Sequence, residues 1–162
     1  MYPVHPPPRT AILVPWFHEG LRAQRTLRVF PHGWSREAEA FMPGSIAGTF
    51  EQLSALAGSG VPFLTHSVIV LWRPGQPRLT ESSRDSLWAA FHVPVFEQVI
   101  GKSGELLAAE CEAHDGLHMV APFLHGQDES LDDSLCPCGR KTPRIGVTQG
   151  AALERRVASY AR

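Results

Sequence analysis

The residues best suited to chemistry in this sequence are its three cysteines and two nearby histidines. One group reads Cys111-Glu-Ala-His114-Asp-Gly-Leu-His118, and a second group, after seventeen intervening residues, reads Cys136-Pro-Cys138-Gly. Zinc binds four thiolate and imidazole ligands in a tetrahedron, and structural sites usually draw them from two close pairs. The composition that uses every cysteine is Cys3His. The spacing therefore predicts a zinc site that contains Cys111, Cys136, Cys138 and one of the two histidines.

Other roles for the three thiols remain open at this point. Gly116 lies within the first group and Gly139 directly follows Cys138, and glycine permits the tight turns that ligand loops need. The Cys136-x-Cys138 spacing is one residue shorter than the common zinc knuckle, so both sulfurs reach one ion only from a tight turn. A redox pair is one alternative. The other is that Cys111 is a small buried apolar residue and the remaining two are loop thiols.

Length and charge restrict the class of protein. A chain of 162 residues suits one ordinary domain, and its formal charge of -1 gives no general attraction to nucleic acids or anionic membranes. The longest apolar run, residues 67–72, is too short to cross a bilayer, and the N-terminus lacks the pattern of a secretory signal. An odd number of cysteines without such a signal favours reduced thiols. We expect a cytoplasmic protein without nucleic-acid or membrane partners.

The middle of the chain predicts a strand, a helix and a second strand. The run Ser67–Trp72 is apolar without alternation, as in a strand that is covered on both faces. Thr80 is a suitable N-cap for a helix that ends near Phe91, and residues 93–99 form the next apolar run. A helix between two strands favours a right-handed crossover and a parallel pair. This part of the chain therefore indicates an α/β fold.

The N-terminal half predicts shorter elements. Strands are expected over 11–16 and 27–30, and a short helix is expected from Ser35 to Phe41. A longer helix is predicted to begin at Ser45 and to end at Gly58 and Gly60. The reason is an apolar repeat at helical spacing, formed by Ile46, Phe50, Leu53 and Ala57.

The C-terminal third predicts the elements that would hold the metal ligands. Two short strands, 105–110 and 118–122, suggest a hairpin that follows a turn at 101–104, and the acidic stretch 127–134 is expected to be a solvated loop. The whole pattern favours an α/β domain over 11–147 with a small mixed sheet, flanking helices and a zinc region at 105–145. It is preceded by a proline-rich extended arm over 1–10. An amphipathic helix over 148–162 is available for docking, for a protein partner or for self-association.

Four segments carry a resemblance to a known family. They are Leu79-Thr-Glu-Ser-Ser-Arg, Phe91-His-Val-Pro-Val, Ala109-Glu-Cys-Glu-Ala-His-Asp-Gly-Leu-His and Cys136-Pro-Cys-Gly-Arg-Lys-Thr-Pro-Arg-Ile. Over roughly residues 45–145 the chain resembles the phenylacetate-coenzyme A ligase branch of the adenylate-forming, AMP-binding enzymes. The resemblance implies part of the large domain of such a ligase. It also implies a metal site, with ligands at Cys111, His118, Cys136 and Cys138.

This resemblance favours His118 over His114 as the fourth ligand and suggests a structural zinc. Three carboxylates, those of Glu110, Glu112 and Asp115, are then expected to accept hydrogen bonds from the ligand imidazole. A small basic cluster nearby is expected to consist of solvated loop charges. Its members are Arg140, Lys141 and Arg144.

The reaction centre of these ligases has no counterpart in the sequence. The Ser/Thr/Gly-rich phosphate loop is absent, and the adenine motif would fall on Ile100-Gly-Lys-Ser-Gly-Glu105, where the aromatic residue is lost and the acid is displaced. The ribose-binding aspartate motif and the mobile C-terminal domain with its catalytic lysine have no equivalent either. The resemblance therefore gives little support for ATP or CoA binding, and no catalytic residue is assigned.

Three functions follow from this pattern. The first is a zinc-binding module that binds or scaffolds without adenylation, and so without enzyme activity. The second is an auxiliary or split subunit of an acyl-CoA ligase that a partner chain completes, which would make the chain part of an AMP- and CoA-forming enzyme. The third is a zinc-dependent hydrolase in which His114 or a carboxylate replaces one thiolate and leaves the metal open.

Overall fold

The computed structural model describes residues 9–16, 25–60, 62–121 and 131–146. In these ranges the helices are α1 (Arg36–Ala40), α2 (Phe50–Ser59) and α3 (Glu81–Phe91). The strands are β1 (Thr10–Ile12), β2 (Leu27–Val29), β3 (Ser45–Gly48), β4 (Ser67–Trp72), β5 (Val95–Ile100), β6 (Leu106–Glu110), β7 (Leu117–Met119), β8 (Leu131–Asp132) and β9 (Arg144–Ile145). The predicted arm, apart from its last two residues, and the predicted helix over 148–162 lie outside the described residues.

The described strands form one mixed sheet. Their order is β2-β1-β3-β4-β5-β6-β7-β9-β8. From β2 to β5 every neighbouring pair is parallel, and from β5 to β8 every pair is antiparallel. The predicted α/β fold with a mixed sheet and flanking helices is therefore confirmed.

The central β4-α3-β5 unit agrees with the sequence prediction. All six residues of β4 are buried, as the unbroken apolar run requires. The Thr80 side chain accepts a hydrogen bond from the backbone N–H of Ser83 at 3.2 Å and so caps α3. Strand β5 then pairs in parallel with β4, with Val95 opposite Val68. Strand β5 also pairs with β6, the first strand of the antiparallel half.

The segment that begins at Ser45 is a strand, so the predicted start of the second helix is wrong. Strand β3 pairs with β1 on one side and with β4 on the other, and all four of its residues are buried. Helix α2 begins only at Phe50. Its N-cap is Thr49, whose side chain and backbone exchange hydrogen bonds with Gln52. Backbone pairing on both sides outweighs the helical spacing of the apolar residues in this segment.

The remaining helices are short. Helix α1 is capped by Ser35, as predicted, and α2 ends at Gly60. No helix in the described part of the chain is both long and apolar enough to cross a membrane.

The core lies on both faces of the sheet, because side chains alternate along each strand. On one face, strand residues such as Ile46 and Val68 pack against Leu53 of α2 and Leu87 of α3. A second cluster, which includes Ala47 and Ile69, lies on the other face, and a third apolar cluster fills the antiparallel half. Its buried members are Trp72, Val99, Leu107, Ala108, Leu117 and Ile145. This third cluster supports the strands that carry the cysteines and the histidine.

The antiparallel half contains the predicted hairpin. The structure differs from the prediction in a neighbouring segment. Strands β6 and β7 pair with Ala109 opposite His118, after a tight turn in which the Gly104 N–H donates to the Gly101 carbonyl at 3.1 Å. Within the predicted solvated loop over 127–134, the described residues 131–134 are largely exposed, but they include a two-residue strand. Leu131 and Asp132 form β8, which pairs with β9 because Asp132 also binds the side chain of Arg144.

Candidate metal centre

Neighbouring strands bring the cysteines and His118 together. Cys111 directly follows β6, and His118 is the middle residue of β7. Because His118 lies opposite Ala109, two residues before Cys111, both side chains lie on the same face of the sheet. Cys136 and Cys138 lie in the loop between β8 and β9. Since β9 pairs with β7, this loop returns to the same end of the hairpin.

The four donor atoms form a compact cluster. The ligand atoms of Cys111, His118, Cys136 and Cys138 all lie within 4.8 Å of one another. The Cys111 and Cys136 sulfurs are 3.7 Å apart, and the Cys138 sulfur lies 3.4 Å from Nε2 of His118. A tetrahedral zinc ion with sulfurs at ~2.3 Å separates them by ~3.8 Å. The donor set and its spacing therefore fit a tetrahedral metal ion.

The thiols are reduced and mostly removed from solvent. A disulfide bond measures ~2.05 Å, so the sulfur separation rules one out in this structure, and all three cysteines are free. Cys111, Cys136 and His118 are buried, and Cys138 is half-buried. This burial is typical of a structural site, in which protein atoms fill all positions around the metal.

Burial changes the pKa values of the ligand groups. It raises the pKa of Cys111 to about 12, so this group is a neutral thiol at pH 7 in the metal-free protein. The pKa of His118 is lowered by burial and by the nearby charge of Arg140, which keeps the imidazole neutral. Burial also acts to raise the pKa of Cys138, but the Arg140 backbone N–H and hydrogen bonds from the other two thiols lower it overall. Metal binding would release the Cys111 proton.

A threonine, not a carboxylate, orients the ligand imidazole. Nδ1 of His118 lies 2.8 Å from the Thr142 hydroxyl oxygen. If Nε2 binds a metal, Nδ1 carries the proton and donates a hydrogen bond to that oxygen. The predicted role of Glu110 and Asp115 as acceptors for this ring is wrong, because each binds an arginine instead. Sequence spacing gives no signal for Thr142, which comes close only through the pairing of β7 with β9.

Arg144 is buried beside the centre, contrary to the prediction of a solvated charge. Its side chain has 0% exposure. One terminal nitrogen lies 2.6 Å from a carboxylate oxygen of Asp115, and the other lies 2.7 Å from Asp132. Burial alone would lower the pKa of Arg144, but the two carboxylates raise it. The guanidinium thus ties the start of β9 to β8 and to the loop before β7.

His114 lies outside the cluster. Its Nδ1 is 3.1 Å from Glu110 and 3.4 Å from the Arg84 guanidinium, and its ring stacks on Phe96 with centroids 5.0 Å apart. The structure thus leaves His118 as the imidazole of the cluster. It also removes the support for the hydrolase alternative that required His114 as a ligand.

A network of buried charges joins the two halves of the sheet, and the sequence analysis missed it. Glu97 and Glu110 lie on β5 and β6, and Arg84 of α3 binds both carboxylates at 3.0 Å. Arg78 binds Glu97 at 3.3 Å and also donates to the carbonyl of Gly146, after β9. The available signal was Glu97 itself, an acid within the otherwise apolar start of a strand.

Comparisons with known proteins support the fold. No protein-family model matches the sequence. No curated protein matches it either. Twenty-two chains of solved structures do match the fold. One is an open conformation of 2-hydroxyisobutyryl-CoA ligase in complex with 2-HIB-AMP and CoA, with a TM-score of 0.60 and 15% identity over 86% of this chain and 44% of the ligase chain.

This chain folds like part of an acyl-CoA ligase. It spans less than half of that ligase, and at 15% identity the likeness concerns the fold alone. The likeness supports the predicted architecture of part of a CoA ligase, whereas membership of the adenylate-forming enzymes remains a prediction. The phenylacetate-CoA branch remains a prediction.

Proposed function

We propose that Cys111, His118, Cys136 and Cys138 bind one structural zinc ion. The observation that carries this proposal is the convergence of the four donor atoms within 4.8 Å. A set of four protein ligands leaves no position for an activated water molecule. The ion would hold the β6-β7 hairpin to the loop before β9. Its binding free energy would then contribute to folding, because the unfolded chain has no preformed site.

The module that carries this site would bind or scaffold without adenylation, as a relative of the phenylacetate-CoA ligase branch. Support comes from the turn that occupies the place of the adenine motif. There the Gly101 N–H donates to the Glu105 carbonyl, and the Glu105 carboxylate accepts hydrogen bonds from the backbone and side chain of Ser103. The Glu105 carboxylate is thus hydrogen-bonded within its own turn. This differs from the acid of the adenine motif, which binds a metal-bound phosphate.

A cavity supplies a place for a small ligand in this module. It has a volume of about 270 Å³ and lies between the N-terminal ends of α2 and α3. Trp72 and Arg78 line it, and among the described residues neither the indole N–H nor the Nε–H of these side chains has a hydrogen-bond partner.

Metal analysis of the purified protein tests the zinc site. We expect about one zinc ion per chain, and loss of most of it in Cys136→Ser, since a structural site needs all of its ligands. Zinc is measured by elemental mass spectrometry, with protein concentration from amino-acid analysis. Absence of zinc from the protein, or an unchanged content in Cys136→Ser, would contradict the proposal.

The two histidines of the hairpin give a matched control. His118→Asn should lose zinc, whereas His114→Asn should keep it, because His114 binds Glu110 and lies outside the cluster. Asparagine suits position 114, where the backbone has a positive φ of 49°. Equal zinc contents in the two variants would show that the ring of His118 is not a ligand.

An auxiliary or split subunit of an acyl-CoA ligase is the second candidate function. The observation that favours it is the match to 44% of a ligase chain. In this case a partner chain would supply the phosphate loop and the catalytic lysine. Calorimetric titration with ATP and with CoA separates the two functions. The scaffolding module binds neither nucleotide under any condition, whereas the split subunit binds them once its partner is added.

A further inference from the structure

The three cysteines of the candidate metal centre differ in their exposure to solvent. Cys111 and Cys136 are 3% and 1% exposed, whereas Cys138 is half-buried. The three sulfurs lie within 4.8 Å of one another. A small oxidant in solution therefore reaches Cys138 first and finds two further thiols beside it.

We propose that this centre is also a peroxide-sensitive thiol switch. Hydrogen peroxide would join Cys111 to the loop that carries Cys136 and Cys138 through a disulfide and thereby release the metal. The proposal rests on the proposed zinc site. It gives the Cys-x-Cys pair a redox role in addition to metal binding.

The chemistry balances with one peroxide and two thiols. The Cys138 sulfur attacks one peroxide oxygen, the O–O bond breaks, and Cys138 becomes a sulfenic acid with release of one water. The Cys111 sulfur then attacks the Cys138 sulfur, so that an S–S bond forms, the S–O bond breaks and a second water leaves. Because zinc-bound thiolates carry no protons, one proton for each of the two waters comes from solvent. Two electrons pass from the two sulfurs to the peroxide. Thiol–disulfide exchange can afterwards move the bond from Cys138 to Cys136.

The geometry favours a bond between Cys111 and the loop. Cys136 lies 3.7 Å from Cys111, so the two sulfurs need to approach by roughly 1.7 Å to reach disulfide length. Cys111 is fixed at the end of β6, while the loop is held between two strands of only two residues each. The disulfide removes two of the four ligands, and the remaining thiol and imidazole are too few for a structural zinc site. The same bond still joins the hairpin to the loop.

Treatment of the full-length zinc-loaded protein with excess hydrogen peroxide tests the switch. We expect about one zinc ion per chain to appear on a coloured chelator, and the free thiols counted after denaturation to fall from three to one. A protease that cuts before aspartate places Cys111 in peptide 85–114 and the other two cysteines in peptide 133–162. The oxidised protein should give these two peptides joined, and a dithiol reductant should separate them.

Controls distinguish the switch from simple oxidative damage. Cys111→Ser should give no joined peptides, and metal-free wild-type protein should give them if this variant does not fold. Retention of zinc and of all three thiols would contradict the thiol switch but not the zinc site. So would zinc loss with Cys138 oxidised to sulfonic acid and no joined peptides. A purified protein without zinc would overturn the proposed zinc site instead.

Discussion

The side chain of Arg144 connects the loop that carries Cys136 and Cys138 to its surroundings. It has no exposed surface and binds Asp115 before β7 and Asp132 in β8. A buried guanidinium stabilises a fold only while its partners neutralise it, so loss of one member leaves uncompensated charges. The proposed metal ligands near these residues therefore depend on this ion pair for their position.

Replacement of this side chain tests that dependence. Arg144→Met should lower the free energy of unfolding by about 3–5 kcal/mol, because Asp115 and Asp132 lose their common cation. The measurement is urea denaturation of the zinc-loaded protein. Lys141→Met changes the same charge at an exposed position three residues earlier and should stay within about 0.5 kcal/mol of the wild type. Equal effects of the two substitutions would refute the buried ion pair.

Arg144 also shows which features of the candidate site the sequence does not predict. The ligand types were predictable, because three thiols and a histidine at two close spacings suit one metal. Thr142 and the burial of Arg144 were not, because both depend on the pairing of β7, β8 and β9. Strands of two residues leave no periodicity to read, and a charged loop residue is ordinarily solvated.

Secondary structure was predicted well where apolar spacing and the helix N-cap agree, and poorly where the two conflict. Strand β4 and helix α3 carry an apolar run and an N-cap that agree with each other. In β3 the apolar spacing favours a helix that begins at Ser45, whereas Thr49 and Gln52 form a capping box that marks the helix start at Phe50, five residues later. The position of this box is what separates β3 from α2.

A substitution at this cap measures its contribution. Thr49→Ala should destabilise the protein by about 1 kcal/mol, because the N–H of Gln52 loses its acceptor at the start of α2. Thr49→Ser keeps the hydroxyl and should retain most of the stability. Thermal unfolding followed by circular dichroism gives both values. A loss in the serine variant as large as that in the alanine variant would assign the effect to the methyl group.

At the scale of the whole molecule, the sheet has two halves with different sources of stability. The parallel half packs against helices and contains the fully buried strand β4. The antiparallel half ends in β9 and β8, two-residue strands beside the metal centre. The charge network of Arg84, Glu97 and Glu110 joins the two halves. Loss of the metal should therefore act unevenly across the sheet.

Chelation of the zinc tests this division. Free metal at one hundred times its dissociation constant stabilises a protein by about 2.7 kcal/mol, so its removal should lower the melting temperature by roughly 5–10 °C. Hydrogen exchange should rise in β7, β9 and the loop of Cys136, while the amides of β4 keep their protection. The His118→Asn variant should show this pattern without chelator and should not respond to it. An equal rise in exchange across β4 and β9 would mean that the metal supports the sheet as one cooperative unit.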